Sequence, residues 1–361
     1  MERVFGLDLL RSIAVLMVLL AHTRFFLRPL IPATQALSIF GFLGVELFFV
    51  LSGFLIGGIL LRSFDDRPNA GTLTRFWVRR WFRTLPNYYL FLGVNLALRA
   101  WEGQGFGGLA GYGVFLQNLA WPCPYFFNES WSLAIEEWFY LIFPILIFLL
   151  SRLRAEKRFA VAVSLGLLFL FSTAARGAAV ALGSPSWDDG IRKVVAYRLD
   201  ALMIGVLGAF LKNYAAAAWQ RVRGAGVLAG SLLALAVFGS YYGLDKNGSV
   251  FARTLFFTTT SLSVFCFLPA LDAWRTAAGP LATAVRNVSL WSYSLYLCHL
   301  PVRSVLNAAF GDPELVGAPM GAATMLLLTA AFVVLSLAVA GLNYRFFERP
   351  AMDLRERFGA R

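Results

Sequence analysis

The sequence is poor in charged residues. Only 14% of its 361 residues are Asp, Glu, Lys or Arg, whereas a soluble domain usually carries about 25%. Hydrophobic residues make up 59%, and they form continuous runs instead of alternating with polar residues, as the strands of a membrane β-barrel would. The shortage of charge therefore argues against a soluble protein and predicts a helical chain that lies mostly inside a membrane.

Cysteine and histidine are also scarce. The three cysteines, Cys123, Cys266 and Cys298, lie far apart in the sequence, so the chain shows neither a disulfide framework nor the cysteine spacing of a metal site. We expect no bound metal. The chain has only two histidines, His22 and His299, and both fall within apolar segments.

About ten segments are apolar over the roughly 20 residues that a membrane-spanning helix needs. We predict an all-α, polytopic transmembrane bundle with spans at 8–28, 39–61, 84–100, 131–151, 159–181, 198–211, 224–243, 251–271, 289–307 and 318–343. Most of the 32 Lys and Arg residues fall in alternate connections between these spans, and this bias predicts that both termini are cytoplasmic. The net charge of +12 then reflects topology, and we expect no nucleic-acid partner.

The first predicted span carries ionisable residues, which are costly inside a membrane and usually face an interior cavity. Arg11 and His22 lie on the same helix face, roughly 16 Å apart along the axis. Asp8 lies three residues before Arg11 and can pair with it. His22 is either a general base, the role that suits a neutral imidazole near neutral pH, or a packing histidine bonded to another helix. The scarcity of histidine and the arginine on the same face favour the base.

A basic stretch precedes the third predicted span. If it is helical, Arg75, Arg79, Arg80 and Arg83 cluster at the cytoplasmic edge, where guanidinium groups can bind phosphate oxygens in bidentate geometry. This interpretation predicts a seat for the phosphates of a cytoplasmic acyl donor. Simple anchoring by positive charges and interfacial tryptophans accounts for the same residues, so both interpretations stay open.

Polar residues also occur in three other predicted spans. Each of them could form a hydrogen bond between helices, but several in one bundle indicate a polar cavity. The candidates are Glu46, Ser52, Trp131, Glu136, Glu137, Tyr296 and His299.

Taken together, these segments resemble the acyltransferase 3 family, membrane-bound O-acyltransferases of the cell envelope. One departure is Trp138, where the family often has glutamine; if that glutamine contacts the acceptor, the acceptor of this chain would differ. The resemblance rests on Arg11 followed by His22, on 44–56, on Arg80 and Arg83 before Pro86, on 131–137, and on 198–201, 292–299 and 344–350.

The resemblance implies transfer of an acetyl or other short acyl group from acetyl-CoA, or another acyl-CoA, to a hydroxyl of a cell-envelope glycan or glycosylated acceptor. His22 would remove the proton of that hydroxyl as its oxygen attacks the thioester. Arg11, paired with Asp8, would stabilise the oxyanion or orient a reactant, and Glu136 and Glu137 would orient the acceptor or hold the bundle. The expected donor-binding residues are Arg80, Arg83, Arg79 and Arg75, and the expected substrate-binding residues are Glu46, Ser52, Trp131, Tyr296 and His299.

This mechanism requires His22 and the arginine pair to open onto one continuous passage. We expect a single domain over residues 1–361 without a fused soluble domain, multi-pass in the inner (plasma) membrane, in contact with membrane lipid and a glycan or lipid-linked glycan. The alternative is a transporter or flippase for a lipid-linked glycan. Such a protein would need polar residues in its spans equally, but it would not depend on acyl-CoA.

Overall fold

The computed structural model describes residues 3–64, 68–153, 156–313 and 320–355. This part of the chain contains α-helices and no β-strand, so the predicted all-α fold is confirmed. The helices are α1 Phe5–Leu27, α2 Ser38–Ser63, α3 Ala70–Trp101, α4 Ser130–Arg152, α5 Lys157–Leu182, α6 Leu199–Tyr214, α7 Ala216–Arg221, α8 Arg223–Gly243, α9 Val250–Arg253, α10 Leu255–Ala273, α11 Pro280–Phe310, α12 Ala322–Asn343 and α13 Arg349–Asp353.

Seven of the described helices are long and apolar enough to cross a membrane, namely α1, α2, α4, α5, α8, α10 and α12. The ten predicted spans coincide with these seven and with α3, α6 and α11, except that residues 318 and 319 lie outside the described residues. Helix α6 has only 16 residues, and α3 carries four arginines near its start. The total of about ten spans and the cytoplasmic placement of the termini therefore stay predictions.

Helix α3 starts much earlier than the predicted third span. The side chain of Asn69 accepts a hydrogen bond from the backbone N–H of Thr72 (2.9 Å) and so caps the first turn. From this cap the helix runs through the basic stretch and past Pro86. The four arginines therefore lie on a helical backbone, which is the condition that the sequence analysis set for their clustering.

Helices α2 and α6 approach each other closely at two glycines. A Cβ atom on Gly53 would lie 2.0 Å from the carbonyl oxygen of Leu202, and one on Gly205 would lie 2.1 Å from that of Val50. Small residues at helix interfaces allow such contacts inside membranes. A larger side chain at either glycine would force the two helices apart.

A network of buried charges lies beside this contact. Arg198 Nη2 is 2.6 and 2.7 Å from the two carboxylate oxygens of Glu46, and both residues are fully buried. Asp200 accepts hydrogen bonds from Arg176 (3.0 Å) and from the hydroxyl of Thr258 (2.8 Å). The network joins α2, α5, α6 and α10. Glu46 was predicted to bind substrate, but here its carboxylate is enclosed by its partners, and the geometry gives it a structural role.

A smaller polar cluster holds α3, α11 and the turn before α13 together. Glu348 accepts hydrogen bonds from Ser294 and from Asn87 (3.2 Å). Asn343 donates to Asn87 at 2.7 Å. Since all of these groups are buried or partly buried, the cluster satisfies polar atoms that would otherwise be costly inside the bundle.

The charge network makes a prediction about stability. We expect Arg198→Met to destabilise the fold by about 3–5 kcal/mol, because it leaves the carboxylate of Glu46 buried without its cation. The double variant Glu46→Met with Arg198→Met removes both charges and should melt at a higher temperature than the single variant. Thermal unfolding of the detergent-solubilised proteins measures both effects. A single variant that melts no lower than the double one would contradict the pairing.

Candidate active site

Two cavities lie between the helices that carry the predicted site residues. The first, the Arg cavity, has a volume of about 90 Å³. The second, the His cavity, has a volume of about 560 Å³. The polar residues that line the Arg cavity are Arg11, Ser52, Arg80, Arg83, Thr84, Ser132, Glu136, Ser292, Tyr293 and Tyr296. The His cavity includes His22, Glu129, Trp131, Asp188, Tyr296 and His299 in its wall.

In the Arg cavity, Arg80 is held by a phenol and a carboxylate. Its Nη2 donates a hydrogen bond to the hydroxyl of Tyr140, and that hydroxyl donates in turn to Glu136. Ser52 Oγ lies 2.7 Å from the same hydroxyl, and Arg80 Nη2 lies 3.6 Å from Glu136 Oε2. The guanidinium of Arg80 is therefore fixed in position before any ligand binds.

Arg11 and Arg83 differ from Arg80 because neither makes a hydrogen bond or an ion pair with any residue in the described part of the chain. Both line the Arg cavity, and Arg83 is exposed at its opening. Two cations that face a cavity without anionic partners make that cavity attractive to a negatively charged ligand.

The predicted pairing of Asp8 with Arg11 is wrong. Asp8 bonds instead to Arg3 (2.6 and 3.0 Å) and accepts a hydrogen bond from Ser289 (2.9 Å). Asp8 lines neither cavity. The hydrogen bond between Ser289 and Asp8 joins α11 to the start of α1. The guanidinium of Arg11 stays available to the cavity.

Four more predicted residues lie away from both cavities. Arg75 and Arg79 are exposed on α3, Glu137 is buried, and Glu46 belongs to the charge network. Trp138, the departure from the family pattern, also lies elsewhere and donates a hydrogen bond to the carbonyl of Phe115 (2.9 Å). The sequence alone could not show which way each of these side chains points.

In the His cavity, the two histidines lie beside each other. Their ring centroids are 4.7 Å apart, with one ring edge-on to the other. Nδ1 of His22 is 2.7 Å from the carbonyl of Val18, and Nδ1 of His299 is 2.7 Å from the carbonyl of Tyr296. Because a carbonyl only accepts, each Nδ1 carries a hydrogen. In a neutral ring, Nε2 then has the lone pair that a general base needs.

The two cavities meet at Val45 and Tyr296, which line both of them. The hydroxyl of Tyr296 lies 2.6 Å from Ser132 Oγ and 3.2 Å from the carbonyl oxygen of Glu129. The single passage predicted from the sequence corresponds to two adjoining cavities that share these two side chains in their walls. His22 lines one cavity, and the arginines line the other.

The rim of the His cavity is rich in cations. Asp188 forms ion pairs with Arg192 (2.6 Å) and Lys193 (2.7 Å); burial acts to raise the pKa of Asp188, but the two cations outweigh it and lower this pKa to about 2. The ammonium group of Lys246 lies 3.7 Å from the centre of the Tyr241 ring. The cations of this cavity are Arg24, Arg192, Lys193, Lys246 and Arg303.

Sequence reasoning missed two residues of this site. Tyr140 lies four positions after Glu136, one helical turn along α4, and that spacing could have identified it. Glu129 lies just before α4 and is only 4% exposed; no spacing rule distinguishes it. Among the described residues, no group of three or more His, Cys, Asp and Glu side chains is arranged to hold a metal ion.

Comparison with known proteins gives a consistent result. The model of the acyltransferase 3 family, described as an acyltransferase domain, matches residues 4–344. A Staphylococcus aureus (strain COL) protein named "Putative O-acetyltransferase SACOL0978" is 28% identical over 97% of this chain and 57% of its own length. The Bacillus subtilis (strain 168) protein named "Putative peptidoglycan O-acetyltransferase YrhL" is 27% identical over 96% of this chain and 54% of its own length.

A shorter match links the chain to the peptidoglycan O-acetyltransferase OatA of Listeria monocytogenes, 31% identical over 45% of this chain and 27% of the relative. The chain spans a little over half the length of the first two relatives. No solved structure matches it significantly. Because the family model covers nearly all of the sequence, and because the family's arginine and histidine motifs line two adjoining cavities, the chain belongs to the acyltransferase 3 family.

Proposed function

We propose that this protein transfers an acetyl or other short acyl group from acyl-CoA to a hydroxyl of a cell-envelope glycan, with His22 as the general base. The observation that carries the proposal is the meeting of two unlike cavities. One is lined by Arg11 and Arg83, which form no ion pair with a described residue, and the other by two histidines. The cavities adjoin at Val45 and Tyr296, and the thioester and the acceptor hydroxyl would meet at this boundary.

The Arg cavity suits the donor. Coenzyme A carries several phosphates, and guanidinium groups bind phosphate oxygens well. At about 90 Å³ the cavity is too small for the nucleotide, so the nucleotide would stay at the exposed Arg83. The narrow pantetheine arm would then extend past Arg11 toward Tyr296. With the N-terminus in the cytoplasm, this end of the bundle faces the cytoplasmic pool of acyl-CoA.

The His cavity suits the acceptor. Its volume of about 560 Å³ falls within the range of small-molecule binding sites, and aromatic and charged side chains line it. Two of the relatives described above are named for peptidoglycan, and a glycan hydroxyl of the cell envelope is the acceptor class that we propose here.

The chemistry follows from these positions. Nε2 of His22 takes the proton of the acceptor hydroxyl while the hydroxyl oxygen bonds to the thioester carbonyl carbon. The carbon–sulfur bond then breaks, and the coenzyme A thiolate leaves and takes up a proton, so that the products are an ester and a free thiol. Arg11 would be the hydrogen-bond donor that stabilises the oxyanion between these steps.

The base role predicts a large loss of rate in His22→Ala. We expect transfer to fall about 10²–10⁴-fold, the usual contribution of general-base catalysis. Binding of coenzyme A should change less than about twofold, because His22 and the arginines line different cavities. The rate is measured as free thiol released from acetyl-CoA by membranes that contain the protein and its envelope acceptors, and binding is measured by calorimetry.

Thr34→Val, a change in the connection before α2 and outside both cavities, serves as the control for His22→Ala. Wild-type rates in His22→Ala would exclude the base role. If the wild-type protein released no thiol at all, the result would favour the transporter alternative over acyl transfer.

The donor role of the Arg cavity predicts that Arg83→Ala raises the KM for acetyl-CoA about tenfold, since it removes a charge-assisted contact with phosphate. Arg158→Ala is the matched control, because Arg158 is an exposed arginine at the start of α5 that lines neither cavity. Steady-state thiol release at varied acetyl-CoA concentration gives the KM values. KM values in Arg83→Ala and Arg158→Ala that both equal the wild-type value would mean that Arg83 serves only as a membrane anchor.

A further inference from the structure

A buried carboxylate in the His cavity has no partner. Glu129 is 4% exposed and lines the cavity together with His22 and His299. Neither of its carboxylate oxygens has a hydrogen-bond partner. Burying an ionisable group without a partner costs free energy, and an unsatisfied group of this kind calls for an explanation.

The side chain of Glu129 has no evident structural role. Glu129 stands at the position that precedes α4, yet its side chain does not cap the helix. Its backbone carbonyl oxygen accepts hydrogen bonds from Ser132 Oγ and from the Tyr296 hydroxyl, each at 3.2 Å. The backbone of Glu129 is therefore held in position, whereas its carboxyl group has no hydrogen-bond partner. The group lies at the N-terminal end of α4, where the helix dipole favours negative charge.

The cations of the same cavity do not pair with this carboxylate. Arg192 and Lys193 form their ion pairs with Asp188. Lys246 lies against the Tyr241 ring. Although the cavity holds five cations, Glu129 forms an ion pair with none of them, nor with any other residue in the described ranges. No described residue therefore satisfies these two oxygens.

We propose that Glu129 binds the acceptor, accepting hydrogen bonds from one or two hydroxyl or N–H groups next to the hydroxyl that becomes acylated. This inference rests on the proposed function and adds a residue that positions the acceptor. The acceptor is a sugar or another molecule with several neighbouring donors, because a simple alcohol has no second donor for a carboxylate. Glu129 would thereby turn the reacting hydroxyl toward Nε2 of His22.

The test uses a gene-deletion strain that expresses the full chain as wild type, Glu129→Ala or Glu129→Gln. The measurement is acetate released by mild base from the isolated envelope glycans. We expect Glu129→Ala to lower the acetate about tenfold, the effect of losing a hydrogen bond to a neutral group, because burial raises the pKa of Glu129 to about 8. Glu129→Gln should lower it less. The KM for acetyl-CoA, obtained from residual thiol release, should stay within about twofold of wild type, because the donor lies in the other cavity.

Protein stability distinguishes ligand binding from a structural role. Since the carboxylate is unpaired, both variants should melt at or above the wild-type temperature in detergent. Lower melting temperatures in both variants, together with lost transfer, would show that Glu129 supports the fold and would overturn the proposal. Glu102→Gln, a change to an exposed acid after α3, is the control and should leave the acetate unchanged.

The outcomes also separate this inference from the proposed function. If wild-type membranes release no thiol from acetyl-CoA, the proposed function fails, and the inference fails with it. If the wild type releases thiol and acylates envelope glycans, but Glu129→Ala does so equally, only the role of Glu129 is refuted.

Discussion

An ionisable side chain inside a bilayer must either be paired or face a polar cavity, and this constraint divides the charged residues of the protein into two groups. Glu46 with Arg198, and Arg176 with Asp200, are paired and buried. These charges satisfy one another and join helices, so they are not available to bind a ligand or to react. The cavity-facing groups are different, because they remain available to bind or react with something else.

The second group is concentrated where the two cavities meet. Arg11 and Arg83 face one cavity without anionic partners, and His22 and Glu129 face the other. Tyr296 stands between them, held by hydrogen bonds to α4. Such an arrangement suits a reaction between two different substrates.

The boundary between the two cavities at Val45 and Tyr296 is also relevant to the transporter alternative. A flippase must offer its cargo a path through the bundle, and for a glycan that path must be at least as wide as a sugar ring. The Arg cavity, at about 90 Å³, is far smaller than the His cavity and is bounded by Tyr296 and Val45. These dimensions suit the thin arm of an acyl donor better than a sugar. They therefore favour acyl transfer.

By itself, the sequence determined the helical class, the position of most helices and the segments that carry the site. This was possible because hydrophobic run length is a local property, and because α1 alone places Arg11 and His22 along the interior of the bundle. The start of α3 was missed, since it depends on the cap at Asn69 and not on hydrophobicity.

Only the tertiary structure decided which ionisable groups pair and which stay free. Asp8 bonds to Ser289, and Glu46 pairs with Arg198, across separations of 281 and 152 residues. Glu129 is left without a partner by the same packing. Pairing depends on which helices touch and how each is rotated, and no spacing within a single helix encodes that. The sequence therefore indicated the segments that line the two cavities, and helix packing determined which ionisable residues in them form pairs.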